Sequence, residues 1–309
     1  MPPTETHGET HAVVAWHGTR EVLACFGSGY ATACGPDVTH ISWSMAKSMT
    51  HALVGFVVRD GLIDIDAPAA VPEWRDDERS RITLRHLLEM RSGLEWVEDY
   101  VDGEHSHVID MLFGEGKHDH AGYAAKLPAR HAPGEHWEYS SGTTNIICRI
   151  ISDVIGGSGP DGRRSRMQSF VNDRLFGPLG MSSAAAKFDS AGNFVGSSYV
   201  YATAADFARF GRLYVDGRDR NGAEVLSAEW INAARTTVST DPETGNGYSH
   251  HWWTWPSLPG AIVATGYEGQ YTIVLPHEDL VVVRLGKTSA DIRQNVVDDL
   301  VVLVDELHS

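Results

Sequence analysis

The sequence predicts an α/β fold in which both ends of the chain build a sheet and a mostly helical segment is inserted between them. Three observations carry that expectation. Residues 11–26 are rich in Val, Ala and aromatics and alternate like a pair of strands. From Ser44 the apolar spacing switches to the helical period, and helices with long loops fill residues 60–185. The C-terminal part then returns to strands.

The elements follow in order. His17-Gly18-Thr19 breaks the first alternating run, which predicts a hairpin, and a loop with Gly35-Pro36-Asp37 comes next. Met45, Met49, Ala52, Leu53, Phe56 and Val57 recur on one helical face until Gly61 stops the helix. Ile82-Thr83-Leu84-Arg85-His86-Leu87-Leu88 opens a second helix, and Asn145 to Ile155 forms another, closed by Gly156-Gly157. Helices are expected around 203–216 and 227–235, strands at Ala261–Ala264, Tyr271–Leu275 and Leu280–Leu285, and a last helix from Ile292 to Leu307. No internal repeat or low-complexity segment interrupts this plan. The expected division is 1–59 with 186–309 for the sheet part and 60–185 for the helical part, with the active site between them.

Composition narrows the function. The 309 residues suit one or two tightly joined domains, and 42% hydrophobic with 21% charged residues is ordinary for a globular protein. A formal charge of −16 disfavours nucleic acid and anionic membranes as partners. The basic cluster Arg163-Arg164-Ser165-Arg166 reads as a solvated helix start. No apolar run of membrane-spanning length occurs, and the polar Met1-Pro2-Pro3-Thr4-Glu5-Thr6-His7 does not read as a signal peptide, so a cytoplasmic location is expected. Cys25, Cys34 and Cys148 have no framework spacing and read as reduced thiols.

Ser44-Met45-Ala46-Lys47 is an S-x-x-K sequence. A serine hydroxyl attacks a carbonyl only with a base within roughly 2.6–3.2 Å. Positions i and i+3 share a helix face, so Lys47 can reach Ser44. The positive end of the helix dipole and burial would both help hold Lys47 partly neutral. Only Lys47, among Lys47, Lys117, Lys126, Lys187 and Lys287, has a serine three residues before it. The bland reading is a surface lysine and a capping serine. Tyr139 follows Pro133-Gly134 and precedes a helix. A tyrosine beside a lysine can relay protons, because the cation lowers its pKa; taken alone, it also fits a half-buried packing aromatic. Ser141 or Asn145 is in place to donate to a substrate carbonyl.

Four ordered blocks tip that balance: Ser44-Met45-Ala46-Lys47-Ser48; Ile82–Leu88 with Ser92-Gly93-Leu94; Pro133-Gly134 with Tyr139-Ser140-Ser141-Gly142; and Phe176-Gly177-Pro178-Leu179-Gly180-Met181. Together they resemble the class C β-lactamase-like serine hydrolases, which include penicillin-binding DD-peptidases, esterases and 6-aminohexanoate-dimer hydrolases. Tyr139-Ser140-Ser141-Gly142-Thr143-Thr144-Asn145 and Glu98-Asp99-Tyr100-Val101-Asp102 most resemble the 6-aminohexanoate-dimer hydrolase branch. The resemblance implies an antiparallel sheet flanked by helices, and a lid carrying Tyr100 over the substrate. It also implies a third block on the strand beside the nucleophile, matched to Tyr267-Glu268-Gly269-Gln270. There Gly269 would allow close approach of the substrate, and Gln270 would give its N–H to an oxyanion hole shared with Ser44. Tyr267 stands where the family has a cation or imidazole, which disfavours a substrate carboxylate.

Rival chemistries lack anchors. His105, His107, His118, His120, His131, His136, His250 and His251 sit in no metal-ligand pattern, so no metal is expected and they read as solvated loop residues. No G-x-S-x-G elbow and no Ser-Asp-Asn element occurs. Trp252, Trp253 and Trp255 fit either an apolar pocket or the core. The expectation is acyl transfer from a small ester or amide to water, with Ser44, Lys47 and Tyr139 as the catalytic set and no cofactor. The alternatives are a non-turnover binding protein or a weak β-lactamase or DD-peptidase. Oligomeric state is left open.

Overall fold

A computed structural model describes residues 4–27, 33–100 and 105–308. Strands β1 (Glu9–His17) and β2 (Arg20–Phe26) form the first hairpin, turning at Gly18 with φ 61°. After β3 (His40–Ile41) comes α1 (Met45–Arg59). The helical segment holds α2 (Leu84–Leu88), α3 (His107–Phe113), α4 (His120–Ala125), α5 (Ser141–Ile155) and α6 (Gly159–Val171). A π-helical turn, Asn172–Phe176, carries α6 into α7 (Gly177–Leu179). The chain continues through β4 (Ala185–Ala186), β5 (Val200–Ala202), α8 (Ala204–Asp216) and α9 (Ala228–Arg235). It ends with β6 (Ser239–Thr240), β7 (Gly247–Tyr248), β8 (Trp253–Thr254), β9 (Ile262–Gly266), β10 (Gln270–Leu275), β11 (Leu280–Lys287) and α10 (Arg293–His308).

The main sheet is antiparallel, in the order β2-β1-β11-β10-β9-β8-β7-β6. N-terminal β1 pairs with C-terminal β11, so both chain ends meet in one sheet. β11 is buried on both faces, which explains why Leu280–Val283 reads as an unbroken apolar run. Successive residues still alternate between two cores. Leu280 and Val282 pack with Val296, Leu300 and Val304 of α10, whereas Val281, Val283 and Leu285 join the core holding Phe207, Phe210 and Tyr214 of α8. Each such side chain stabilises the fold by about 1.5–3 kcal/mol. α1 lies between β9 and α5 and is buried from Met45 to Val57.

Several details differ from the sequence reading. β6, β7 and β8 are two residues long and carry no periodicity, yet they extend the sheet past β9. A second small sheet, β3-β5-β4, was equally invisible. α5 starts at Ser141 because the Ser140 hydroxyl caps it, accepting the Thr143 N–H at 3.0 Å; the apolar period begins only at Ile146. Four histidines expected in solvated loops, His107, His120, His250 and His251, are buried. Three of them satisfy internal partners: His107 accepts the Val97 N–H, His250 meets Glu89, and His251 lies between the Leu88 carbonyl and Thr144. The basic cluster is tied down as well, with Arg163 on Asp153 and Asn193 and Arg164 on the Asp189 carbonyl. Among the described residues, no helix is long and apolar enough to cross a membrane.

Candidate active site

Ser44 sits at a sharp turn between β3 and α1. Ser42 is pinned on one side: its N–H donates to the Val200 carbonyl at 2.7 Å and its hydroxyl to the Ser198 carbonyl at 3.1 Å. Trp43 takes a left-handed φ of 45°, a conformation non-glycine residues seldom hold. Ser44 is then the N-cap of α1, and its own N–H has no backbone acceptor among the described residues. One turn on, Lys47 is 2% exposed. Its ammonium donates to Ser44 Oγ at 3.0 Å, Ser141 Oγ at 2.8 Å and the Ser197 carbonyl at 3.0 Å. Burial lowers its pKa to about 8, against the opposing pull of Glu98 and Cys148.

The start of α5 brings the second set of groups. Lys47 Nζ lies 4.8 Å from the centroid of the Tyr139 ring. The Tyr139 pKa moves up, not down as its cationic neighbour suggested. Burial is the largest cause and the Glu98 charge adds to it, while a hydrogen bond with Ser44 offsets only part. A lysine itself driven towards neutrality exerts little pull, so Tyr139 remains a protonated phenol. Glu98 is the residue that the sequence reading left without a role. Its Oε1 accepts the Ser141 hydroxyl at 2.5 Å and the Tyr100 hydroxyl at 3.3 Å. Its Oε2 accepts the Ser141 N–H at 2.8 Å and the Trp96 indole N–H at 2.6 Å.

The β9–β10 hairpin closes the other side. β9 is the strand nearest α1, and Gly266 at its end lies so close to the Ser42 carbonyl that a methyl group would collide with it. Tyr267 follows, its ring edge-on to Trp43 at 5.7 Å and stacked on Tyr100 at 4.8 Å. Its N–H has no backbone acceptor among the described residues. Glu268 (φ 61°) and Gly269 (φ 80°) make the turn. Arg284 holds it from below, donating to the Glu268 and Gly269 carbonyls at 3.2 and 2.8 Å. Gln270 opens β10, opposite Gly266, and its buried side chain donates to the Gly286 and Tyr267 carbonyls.

The β-lactamase family model matches residues 6–304. The chain belongs to the β-lactamase family. It is a hydrolase of the serine β-lactamase-like type. Within that family it is 25% identical over 295 residues to the 6-aminohexanoate-dimer hydrolase of Paenarthrobacter ureafaciens, covering 89% of this chain and 72% of the relative. Among solved structures, a Bacillus anthracis protein assigned as a 6-aminohexanoate-dimer hydrolase superposes with a TM-score of 0.77 at 21% identity, covering 96% of this chain and 80% of the other. An octameric penicillin-binding protein homologue from Pyrococcus abyssi gives 0.70 at 19% identity, covering 94% and 72%. These likenesses establish the antiparallel sheet with its helices as the family fold.

Against that family frame, the other expected site residues divide. Tyr100 reaches the site through Glu98 and Tyr267; its neighbours Val101, Asp102 and Gly103 lie outside the described residues. Ser141 stands beside Lys47, but its hydroxyl proton is committed to Glu98 rather than open to a substrate. Asn145 is 1% exposed and donates to Ser197 Oγ and Met111 Sδ, one turn beneath the reactive groups. Gly269 lies in the turn of the hairpin, and Gln270 opens β10, the strand further from α1. Of the three tryptophans, Trp253 lies 5.4 Å from Tyr139, whereas Trp252 packs on Phe210 and Tyr214 and Trp255 on Tyr271. Among the described residues, no three His, Cys, Asp or Glu side chains are grouped to hold a metal ion. Besides Glu98, the sequence reading missed Ser197, whose carbonyl binds Lys47. No spacing rule joins a loop at 197 to a helix at 47, so no local signal marks it.

Proposed function

We propose that the protein cleaves amide or ester bonds through an acyl-enzyme on Ser44. The observation that carries the reading is a buried lysine, with pKa about 8, placed 3.0 Å from a serine at a helix start. Neutral Lys47 takes the Ser44 proton as Oγ bonds to the substrate carbonyl carbon, and the carbonyl electron pair moves onto oxygen. Two N–H groups stabilise that oxyanion. One is Ser44's. The other is assigned to Tyr267 rather than Gln270, because Tyr267 follows the glycine pressed against Ser42 and Gln270 lies one strand further from α1. The bond to the leaving nitrogen or oxygen then breaks. Tyr139, held protonated, supplies the leaving group's proton and recovers one from the Lys47 ammonium. Water attacks the Ser44 ester and loses its proton to Lys47, the bond to Ser44 Oγ breaks, and Oγ recovers that proton as the acid leaves.

The site favours a neutral or amine-bearing substrate. β9 brings Ala264-Thr265-Gly266 towards α1, with no cation among them. Arg284 is 1% exposed and committed to backbone carbonyls and Thr288. An unpaired carboxylate buried there would cost several kcal/mol. The relative named for the 6-aminohexanoate dimer supports an amide joining two linear units. The test is labelling by a fluorophosphonate probe, with turnover of p-nitrophenyl esters and a chromogenic cephalosporin. Ser44→Ala should lose both labelling and turnover, and the parent should cleave the neutral ester far faster than the β-lactam. Persistent labelling of Ser44→Ala would place the nucleophile elsewhere. Equal rates on the two substrates would point to Arg293, 6.0 Å from the Tyr267 ring, as a partner for a carboxylate.

A further inference from the structure

We propose that Glu98 is a positioning residue: by holding the Ser141 hydroxyl proton, it leaves the Ser44 hydroxyl as the one donor from which the neutral Lys47 amine can accept. The inference rests on Lys47 being the base, and it follows from counting hydrogen-bond roles. As an ammonium, Lys47 has three N–H donors and three acceptors around it: Ser44 Oγ, Ser141 Oγ and the Ser197 carbonyl. Loss of one proton leaves a lone pair that needs a donor. A carbonyl has none to give. The Ser141 hydroxyl has one proton, and it lies 2.5 Å from an oxygen of Glu98, a group that only accepts. The Tyr139 hydroxyl is bonded to Ser44 rather than to Lys47, so Ser44 is what remains. The lone pair therefore faces the proton that must leave for Ser44 to attack.

Glu98 is itself fixed for this task. It accepts from Ser141 twice, through N–H and hydroxyl, and also from Trp96 and Tyr100. Those bonds fill roughly all the acceptor sites that a carboxylate offers, so Glu98 serves as an internal anchor rather than a substrate ligand. The same carboxylate ties Tyr100, stacked on Tyr267 above the site, to the base. The charged and titratable groups facing this cluster come from several elements. Glu98 and Cys148 raise the Lys47 pKa, and Lys47 in turn lowers that of His251. Tyr100, Tyr139, Tyr248 and Glu138 all feel the Glu98 charge as an upward push.

Glu98→Gln keeps the shape and removes the charge. Its amide would donate to Ser141, and the Ser141 hydroxyl would turn its proton towards Lys47. Both changes favour a neutral lysine, yet they aim its lone pair away from Ser44. The pH profile of kcat for a p-nitrophenyl ester reads the two effects separately. In the parent, activity should rise with a midpoint near pH 8. In Glu98→Gln that midpoint should fall by roughly one unit, while the high-pH plateau drops about 10-fold to 100-fold, part of what a general base supplies. Adding Ser141→Ala removes the competing hydroxyl and should restore the plateau several-fold. An unmoved midpoint would overturn the proposal and leave Glu98 a structural residue. A lowered midpoint with an undiminished plateau would also overturn it, since charge alone would then be acting. A parent without a limb near pH 8 overturns the Lys47 base reading itself, a failure visible before any Glu98 variant is made. If Glu98→Gln does not fold, Ser141→Ala alone carries the test: the ammonium loses an acceptor, so its midpoint should fall, and an unmoved midpoint overturns the proposal.

Discussion

Gly266→Ala isolates the proposed oxyanion hole. Gly266 has φ −128° and ψ 156°, which alanine adopts freely, so backbone strain is not the issue. Space is. The added methyl would run into the Ser42 carbonyl oxygen and sit 2.9 Å from Gln270 Cβ, below the 3.0 Å that real Cβ contacts respect. Ser42 cannot yield easily, because β5 and the Ser198 carbonyl hold it. β9 must therefore withdraw by roughly half an ångström, and a misplacement of about 1 Å is enough to cost about 10²-fold. Removing an oxyanion donor outright costs about 10²–10³-fold in kcat. The expected loss in kcat for a p-nitrophenyl ester is thus about 10²-fold. KM should change little, since the lost bond strengthens only as charge develops. Gly269→Ala serves as the contrast. It is strained at φ 80° and brings its methyl to 2.8 Å from Arg284 Nη1, so it should lower the melting temperature more than kcat. If Gly266→Ala stays within threefold of the parent while Gly269→Ala loses 10²-fold, the second donor belongs at the Gln270 end of the hairpin.

Two further outcomes follow from the proton states. Tyr139→Phe should slow amide cleavage by about 10²–10⁴-fold and p-nitrophenyl ester cleavage much less, because nitrophenolate leaves without a proton; equal losses on both would remove Tyr139 as the leaving group's acid. The buried histidines set the acid side of stability: burial lowers His251 to about 3, His40 and His120 to about 4, and His51 well below its ordinary 6.5. Folding keeps them neutral while the unfolded chain protonates, so their contribution to stability is level above pH 6.5 and falls as pH drops towards 4. A urea midpoint that stays flat across that window would contradict this.

Where the sequence was legible, the reason is local periodicity or local chemistry. The β1–β2 hairpin, α1, α8, α9 and α10 carry a period of two or of 3.6 over enough residues to be recognised, and β9 to β11 read as short apolar runs. Ser44 and Lys47 are legible because one helical turn joins them. The remaining contacts of Lys47 come from residues 141 and 197, which only the tertiary fold brings near. Glu98 lies in a stretch without helix or strand, and its role arises from a hydroxyl 43 residues away. The sequence points to Gln270 for the oxyanion hole, and the proposal of Tyr267 instead differs from it by register. The glycine pressed against Ser42 sits at the end of β9, three residues before the one singled out. A sequence with glycines at both 266 and 269 does not say which of them meets Ser42.

The surroundings of Ser44 bear on which of the family's chemistries this chain performs. On one side Trp43, Tyr199, Tyr267 and Tyr100 form a connected set of half-buried rings. On the other, Tyr139 leads to Trp253 and Tyr248. Such rings offer apolar area and ring faces, and they cannot neutralise an anion. The cations nearby are already engaged, Arg293 over the Tyr267 ring at 6.0 Å from its centroid. Lys47 faces Ser44 and in the proposed mechanism gives up its charge in order to act, and Arg284 is spent on the hairpin's carbonyls. Lys287 is exposed and lies 3.9 Å from Glu268. Penicillins and D-Ala-D-Ala peptides both present a carboxylate, which loses its hydration on entry and finds no partner among these groups. A linear amide or ester with apolar flanks loses little and gains contact with the rings. The same walls suit an ammonium, which ring faces attract. The absence of a cation on β9 and the abundance of rings are therefore the basis of the proposed preference for neutral or amine-bearing substrates over β-lactams.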